Sequence, residues 1–351
     1  MSSRLFYRDR PLFGLEVSQT GLRTMALDKK MRVLGYGNLD VDPIKLEESI
    51  NKGTDYLMQS MHQLLSQKII GHLPSNRVAL SVPTARTFTR SMALPTSAEE
   101  NLLEAVQLES EQYIPVPISE LYMDYQVIKR TKGSLEVLMC AVPKRLVNAL
   151  VTASQAAHLD PVLVEPAMLS LARLVNKIED GQLPTIIVDV GAASTDIAIL
   201  DRTIRVTGGA AIGGHTFTLD ISRKLKIPLE EAHQLKIHNG LGISPKQAKI
   251  HGALKESLDE ITTEVRKVLR YYAERIGSKS KIEQIIVVGS GSNLPGLGDY
   301  FTETLMMPAR SGSPWQSLDF DHLAQPSRSF RTRYVTAIGL AMVDPEDIWH
   351  D

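Results

Sequence analysis

The alternation of apolar and polar positions divides the chain into strand-like runs and helical stretches. Phe13–Gly37 (FGLEVSQTGLRTMALDKKMRVLGYG) reads as a strand, a tight small-residue turn, a second strand, a charged turn and a third strand. The same order returns in Ile186–Ala210 (IIVDVGAASTDIAILDRTIRVTGGA). Glu16 aligns with Asp189, Ser18 with Gly191, Leu27 with Leu200, Asp28 with Asp201, Arg32 with Arg205 and Val33 with Val206, each pair 173 residues apart (189 − 16). In both segments an acidic residue ends the first strand, just before the turn. Chance resemblance between two hairpins is the plain reading. The other is a chain built of two homologous halves.

Further periodicity fills in the halves. Glu47–Ile70 carries Ile50, Leu57, Met61, Leu64, Leu65 and Ile69 at helical spacing. Arg77–Pro83 reads as a buried strand. Ser97–Ile114 opens with Ser97 and Glu100 at capping-box spacing and stops at Pro115, which predicts a helix. Leu254, Leu258, Ile261, Val265, Val268, Leu269, Tyr272 and Ile276 form one stripe of a long helix whose other face is charged. Ile285–Val288 reads as a second buried strand before a Gly/Ser turn, and Ala309–Arg333 as loop. Strands alternating with helices predict an α/β fold.

Composition narrows the function. The chain has 351 residues, 43% of them hydrophobic, with 39 basic and 40 acidic side chains and a formal charge of −1. That apolar content suits a packed chain of about two domains and excludes disorder. The balanced charge argues against a nucleic-acid binder, which needs clustered Lys and Arg. No apolar run approaches the ~20 residues of a membrane-spanning helix. Met1–Phe13 carries Arg4, Arg8 and Arg10 without the apolar stretch of a secretory signal. Ser2 stands where a myristoylation signal needs glycine. The single cysteine, Cys140, excludes an internal disulfide and reads as a small buried hydrophobe. The nine histidines show no metalloenzyme spacing, and His62, His72 and His158 read as surface or boundary residues. A soluble, cytosolic protein is expected.

Four turns carry the candidate chemistry. After Asp189 come Gly191, Ala192, Ala193, Ser194 and Thr195. Small residues let backbone N–H groups approach an anion, and the two hydroxyls add donors. Asp189 itself suits a metal-bound water, since a carboxylate repels phosphate. The matching turn after Glu16 offers Ser18, Gln19, Thr20 and Gly21, with Arg23 as a phosphate partner. Gly208–Gly214 (GGAAIGG) leads into a helix near His215. Gly289, Ser290, Gly291 and Ser292 follow the Ile285–Val288 strand, with Leu294–Leu297 opening the next helix. A strand, glycine turn and helix bring N–H groups and the positive helix end to one point. Each turn alone is common in tight loops. Together, two opposed hairpins and two glycine turns predict a polyphosphate held between the halves.

In this order the turns resemble those of the actin-like ATPase superfamily, with Phosphate-1, Phosphate-2 and adenosine motifs at Gly14–Arg23, Ile187–Ile197 and Val287–Leu297. Within it, the chain resembles the PilM family of type IV pilus assembly, an FtsA-like branch. The most specific run is Ala93–Tyr125: ALP, then E-x-x-L-x-x-A, then ESEQYIPVPISELYMDY. Ala141–Lys144, Ala210–Gly214, Glu231–Lys236 and Ala337–Leu340 continue the likeness from about Gly14 to Met342.

The resemblance implies an actin-like fold, two duplicated halves around a nucleotide cleft, with an FtsA-type 1C subdomain. It assigns 1–83, 161–184 and 334–351 to subdomain 1A, 84–160 to 1C, 185–214 and 280–333 to 2A, and 215–279 to 2B. It implies ATP and Mg2+ as cofactors, with Glu16 and Asp189 acting on the metal through water. Ser18, Gln19, Thr20, Gly21, Arg23, Gly191–Thr195, Gly213, Gly214, Lys236 and Gly289–Ser292 would bind nucleotide. The chain departs from the family at Glu16 (usually Asp), Ser18 (usually Gly), Arg23 (usually Lys) and His233 (usually acidic). Glu165 is a candidate for orienting water and reads equally as a strand-end carboxylate. Binding without fast hydrolysis is therefore expected.

The implied role is a cytosolic scaffold at the inner face of the inner membrane. It would hold the short cytoplasmic tail of PilN in a groove at 1A and 1C and self-assemble into a ring. The Ile114–Pro117 turn would set how the preceding helix docks. An FtsA-like division protein would need a C-terminal amphipathic membrane helix, whereas Met342–Asp351 (MVDPEDIWHD) is short and acidic. A metabolic kinase of the superfamily would need a catalytic base beside a sugar pocket, and no such carboxylate stands out.

Overall fold

The computed structural model describes residues 11–179, 183–276, 281–344 and 348. Arg4, Arg8, Arg10, Ser2 and most of the acidic C-terminal segment lie outside the described residues, as does the side chain of Ile276. The chain divides into two compact units. The first holds the described residues up to Ile178, together with Pro314–Pro326 and those from Tyr334 onward; the second holds Glu179–Ser313 and Ser327–Arg333.

The first unit begins with the expected triple run, β1 (Phe13–Ser18), β2 (Gly21–Leu27) and β3 (Val33–Asp40). Helices α1 (Pro43–Lys52) and α2 (Tyr56–Gln67) follow, then β4 (Ile69–Gly71) and β5 (Arg77–Val82). Next come β6 (Phe88–Pro95), α3 (Leu102–Ser110), β7 (Leu121–Arg130), β8 (Ser134–Pro143) and α4 (Lys144–Ala156). Then β9 (Asp160–Pro166) and α5 (Ala167–Ile178) return to the main sheet, ordered β4-β3-β2-β1-β5-β9. All six residues of β5 are buried, as a strand between two covered faces requires. Leu15, Val17, Leu22, Leu57, Met61, Leu64 and Leu150 share one core. A C-terminal helix, Val335–Ala341, covers β1 and packs on α5. A Cβ at Gly14 would lie 2.5 Å from the Ala337 carbonyl, and one at Gly339 would lie 2.1 Å from the Ser170 carbonyl. Only glycine allows those approaches.

Strands β6, β8 and β7 form an antiparallel set with its own core of Leu94, Val106, Leu135, Val137 and Met139. Cys140 packs toward the main core instead, and burial pushes its thiol up to about 12, so it stays protonated.

Three expectations shift, two of them helical. The predicted helix Glu47–Ile70 is two helices and a strand. Gly53 takes the left-handed conformation (φ 70°) and its N–H bonds the Ser49 carbonyl, closing α1. Asp42 caps that helix through Ile44 N (2.9 Å) and Lys45 N (3.2 Å). The helix predicted over Ser97–Ile114 begins as a 3-10 run, Thr96–Asn101, and becomes α only over Leu102–Ser110. Ser97 lies inside that tight run, so the Ser97–Glu100 box does not form. Ala309–Arg333 is not all loop: Ala309–Ser311 adds a strand, and Pro314–Pro326 joins the first unit. Aromatic packing explains the second point. Tyr36 meets Phe320 and Tyr334 edge-on at 5.9 and 5.6 Å, Trp315 stacks on Phe320, and the Tyr36 hydroxyl donates to the Ala324 carbonyl.

The second unit repeats the opening with β10 (Thr185–Val190), β11 (Thr195–Asp201) and β12 (Thr203–Ala210). Helices α6 (Gly214–Leu225), α7 (Leu229–His238) and α8 (Gln247–Tyr271) follow, then β13 (Gln284–Val288), α9 (Leu297–Leu305) and β14 (Ala309–Ser311). Its strands run β14-β13-β10-β11-β12. The predicted stripe of α8 is buried at Leu254, Leu258, Ile261, Val265 and Val268.

The duplication is visible in the hydrogen-bonded register. Glu16 faces Arg23 as Asp189 faces Asp196, and Val17 faces Leu22 as Val190 faces Thr195. Both second strands carry an irregularity at the aligned step, Ala26/Leu27 and Ile199/Leu200. Each first strand also pairs in parallel with a later buried strand, β5 or β13. On the third strand the halves slip. Thr24 faces Gly37, whereas its counterpart Ile197 faces Gly208, because the β11–β12 turn is two residues shorter. Arg32 and Val33 are therefore not the structural equivalents of Arg205 and Val206.

Candidate functional site

The second unit gathers most of the residues expected to bind nucleotide. Asp189 sits at the end of β10, directly across from Asp196 on β11. Two carboxylates in register repel, and burial adds to the cost of charging them. Burial, then the Asp189 charge, pushes the Asp196 carboxyl up to about 7. The turn after Asp189 closes through Gly191 N to Ser194 O (2.8 Å). Gly214 N and His215 N donate to the carbonyls of Gly191 and Ala192, which clamps the start of α6 against the turn. Gly213 is needed there, since its Cβ would lie 2.7 Å from the Ala192 carbonyl.

Gly289 (φ 84°) passes so close to Asp189 that a Cβ would meet its Oδ1 at 2.1 Å, and Gly291 leaves no room for a Cβ beside Val190. Lys236 on α7 donates to the Gly214 carbonyl (2.7 Å) and Thr218 Oγ1 (2.8 Å). Burial pulls its ammonium down to about 8. Asp189, Asp196, Gly191–Ser194, Gly213, Gly214, Lys236, Gly289 and Gly291 thus form one neighbourhood. Two expected donors are taken up internally. Thr195 Oγ1 donates to the Ile212 carbonyl (2.7 Å), and Ser292 Oγ to the Gly289 carbonyl (2.7 Å). The other serine of the second glycine turn, Ser290, is half-buried.

The Asp189–Asp196 pair fits a divalent cation better than Glu16 does. A cation would offset the burial and, after it, the Asp189 charge that push the Asp196 carboxyl up, and bound through water it would neutralise phosphate charge. Asp196 escaped the sequence reading. The available signal was its position seven residues after Asp189, which the hairpin turns into direct opposition.

In the first unit the corresponding hairpin is closed on itself. Arg23, opposite Glu16, is buried and its Nη1 donates to Ser18 Oγ (2.8 Å). The guanidinium also lies 3.9 Å from Glu16 Oε1 and 3.7 Å from Asp40 Oδ1. Ser18 Oγ in turn donates to the Gly21 carbonyl (2.9 Å). Gln19 and Thr20 form the tip, and the Thr20 carbonyl accepts from Val41 N. Arg23 is thus turned inward, onto its own hairpin. Glu165 is likewise engaged: Arg173 holds both carboxylate oxygens at 2.8 and 2.9 Å and bonds the Gly339 carbonyl.

A cavity of about 390 Å³ opens in the first unit beside this hairpin. Val17, Leu46, Ile50, Leu146 and Leu150 make its buried apolar floor, and Ile44 stands 73% exposed at its edge. Glu47 and Arg86 pair in its lining. Of these, sequence reasoning named only Ile50, within a helical stripe, and Glu47 as the start of that stretch, and it gave neither a place in a pocket. Ile44, an apolar residue in the first turn of an otherwise polar helix edge, was the one visible hint.

The family model described as type IV pilus assembly protein PilM matches residues 14–344. The chain belongs to the PilM family. In a PilM–PilN type IV pilus biogenesis complex, a chain 22% identical superposes with a TM-score of 0.79, covering 95% of this chain and 98% of that one. MreB5 of Spiroplasma citri bound to ADP gives a TM-score of 0.51 at 14% identity, over 97% of this chain and 98% of that one. The cell division protein FtsA of Neisseria meningitidis is 24% identical over 202 residues, 52% of this chain and 47% of that protein. FtsA of Borreliella burgdorferi is 27% identical over 156 residues, 39% of this chain and 38% of that protein. The chain spans about half the length of the curated relatives it matches. PilM, MreB and FtsA likenesses together mark the fold as actin-like, as the turns implied. No helix among the described residues is long and apolar enough to cross a membrane.

Proposed function

We propose that this chain is an ATP-binding cytoplasmic scaffold of the type IV pilus inner-membrane complex, and that it holds the N-terminal cytoplasmic tail of PilN. The observation that carries this reading is the apolar cavity in a chain of the PilM family. A short extended peptide gains affinity from backbone hydrogen bonds and from side-chain pockets. The floor of Leu46, Ile50, Leu146 and Leu150 supplies such a pocket for an aliphatic side chain, and the Glu47–Arg86 pair supplies polar partners at its lining. The tail would recruit the protein to the inner face of the membrane.

The test is a titration of the labelled N-terminal peptide of the PilN-type protein encoded beside this chain, followed by fluorescence anisotropy. Ile44→Asp places a charge at the exposed edge of the cavity, where the fold tolerates it. Binding should weaken about tenfold or more, since a buried anchor at an interface is worth at least ~1–2 kcal/mol. Equal affinity for the variant and the parent would move the groove elsewhere. Flotation on bare anionic liposomes, without the tail, would favour the FtsA-like reading.

Nucleotide binding is supported by the Asp189–Asp196 pair and the turns clustered on it. Asp189→Lys should abolish magnesium-dependent ATP binding measured by calorimetry. Unchanged affinity would reject the assignment of these turns.

A further inference from the structure

A single row of polar side chains crosses the main sheet of the first unit. Asn38 on β3 pairs in register with Arg23 on β2, Arg23 with Glu16 on β1, Glu16 with Ser81 on β5, and Ser81 with Glu165 on β9. Neighbours in register project to one face of a sheet, about 5 Å apart. The next row on that face, Tyr36, Met25, Gly14, Ala79 and Leu163, carries no charge. The polar row lies close to the carboxyl ends of the parallel strands β1, β5 and β9.

Ser81 is the member of this row that its surroundings do not explain. It is 1% exposed, and its hydroxyl has no hydrogen-bond partner among the described residues. A buried hydroxyl left unpaired is costly and uncommon. Its two neighbours in the row are carboxylates, which accept from a hydroxyl. Glu165 is already held by Arg173 through both oxygens, at 2.8 and 2.9 Å. Glu16 is held differently. Its counter-charge is Arg23, whose Nη1 lies 3.9 Å from Oε1, beyond hydrogen-bond length. That nitrogen donates instead to Ser18 Oγ (2.8 Å), and Arg23 Nε makes no hydrogen bond among the described residues. Glu16 thus stands between a loosely bonded guanidinium on one strand and an unused hydroxyl donor on the other.

We propose that Ser81 is a positioning residue for nucleotide: when a phosphate draws Arg23 off its hairpin, Ser81 donates to Glu16 in place of the departing guanidinium. The proposal rests on the nucleotide reading given above. Without Ser81, release of Arg23 would leave a buried carboxylate stripped of its partner, which is strongly unfavourable. The hydroxyl that the closed hairpin leaves unpaired is the donor that the opened one needs.

Two measurements on the full chain test this. In urea unfolding without nucleotide, Ser81→Ala should match or exceed the parent's midpoint, because the hydroxyl has no bond to lose. In an Arg23→Ala background, where Glu16 has lost its counter-charge, the same change should lower the midpoint. In calorimetry with ATP and Mg2+, Ser81→Ala should bind about tenfold more weakly than the parent, the scale of one hydrogen bond to a charged group. A merely structural hydroxyl would give the reverse: a lower midpoint without nucleotide and unchanged ATP affinity. Either of those results, or equal midpoints for Arg23→Ala and the double variant, would overturn the proposal and leave the nucleotide reading standing. Failure of the parent to bind ATP would overturn the nucleotide reading, and this proposal with it.

Discussion

Across the first hairpin Glu16 faces Arg23, and across the second Asp189 faces Asp196. One backbone geometry therefore carries opposite electrostatics. In the second unit two acids oppose each other. The Asp196 carboxyl is raised from the ordinary carboxylate range to about 7, so the folded state keeps a proton that the unfolded chain has released. Stability from this group is full below about pH 4 and is lost as pH rises through 7. Asp196→Asn should thus stabilise the protein at pH 8, on the order of 2–4 kcal/mol, and hardly at all at pH 4. Thermal melts at the two pH values check this. Mg2+ should raise the melting temperature of the parent at pH 8 more than that of the Asn variant. In the first unit Arg23 sits between two carboxylates. Arg23→Ala should cost about 2–4 kcal/mol in urea unfolding, because Glu16 loses its buried counter-charge. Arg23→Lys should restore only part of that, since an ammonium lacks the guanidinium fork that reaches Ser18.

At the scale of elements, glycines decide where strands and helices touch. Gly53 and Gly289 both have positive φ, 70° and 84°. A Cβ at Gly53 would meet nothing within 4 Å, whereas one at Gly289 would strike Asp189 Oδ1 and the Val190 carbonyl. Gly53→Ala should therefore cost only the left-handed strain, about 1 kcal/mol. Gly289→Ala adds overpacking worth a further ~1–3 kcal/mol and should also disturb the Asp189 site. Denaturation of the two variants side by side separates strain from collision. The same elements show which predictions from periodicity held. Long buried stripes such as α8 were legible, because burial of one face dictates spacing. The break at Gly53 and the 3-10 start of α3 were not, because the apolar spacing continues across both. There the local backbone, not the pattern of burial, sets the boundary.

For the whole molecule, the closed Glu16–Arg23–Ser18 cluster bears on turnover. A guanidinium turned onto its own hairpin must leave Ser18 and Glu16 before it can meet a phosphate. Enzymes commonly turn over about 1–1000 times per second. Phosphate release by this protein with ATP and Mg2+ should fall below that range. The paired change Glu16→Asp with Ser18→Gly should bind ATP at least as tightly as the parent. Release within the enzymatic range would show that Arg23 opens readily.

By itself the sequence determined the duplicated hairpins, the buried strands Arg77–Val82 and Gln284–Val288, the long helix α8 and the glycine turns. These depend on local alternation and on residues whose backbone freedom or burial is plain from type alone. It also marked Asp189, Gly213, Gly214 and Lys236, which do come together. Tertiary structure alone decided which charges meet. It set Asp196 against Asp189, turned Arg23 inward, tied Glu165 to Arg173, and brought Ser329 and Thr332 onto Asn293 from a distant segment. It also shaped the cavity under Ile44 from helices far apart in the chain. The cavity depends on distances between residues remote in sequence, which no spacing along the chain encodes. The charge pairs are near in sequence, but the register of each hairpin and the turn into α5 decide which side chains face each other.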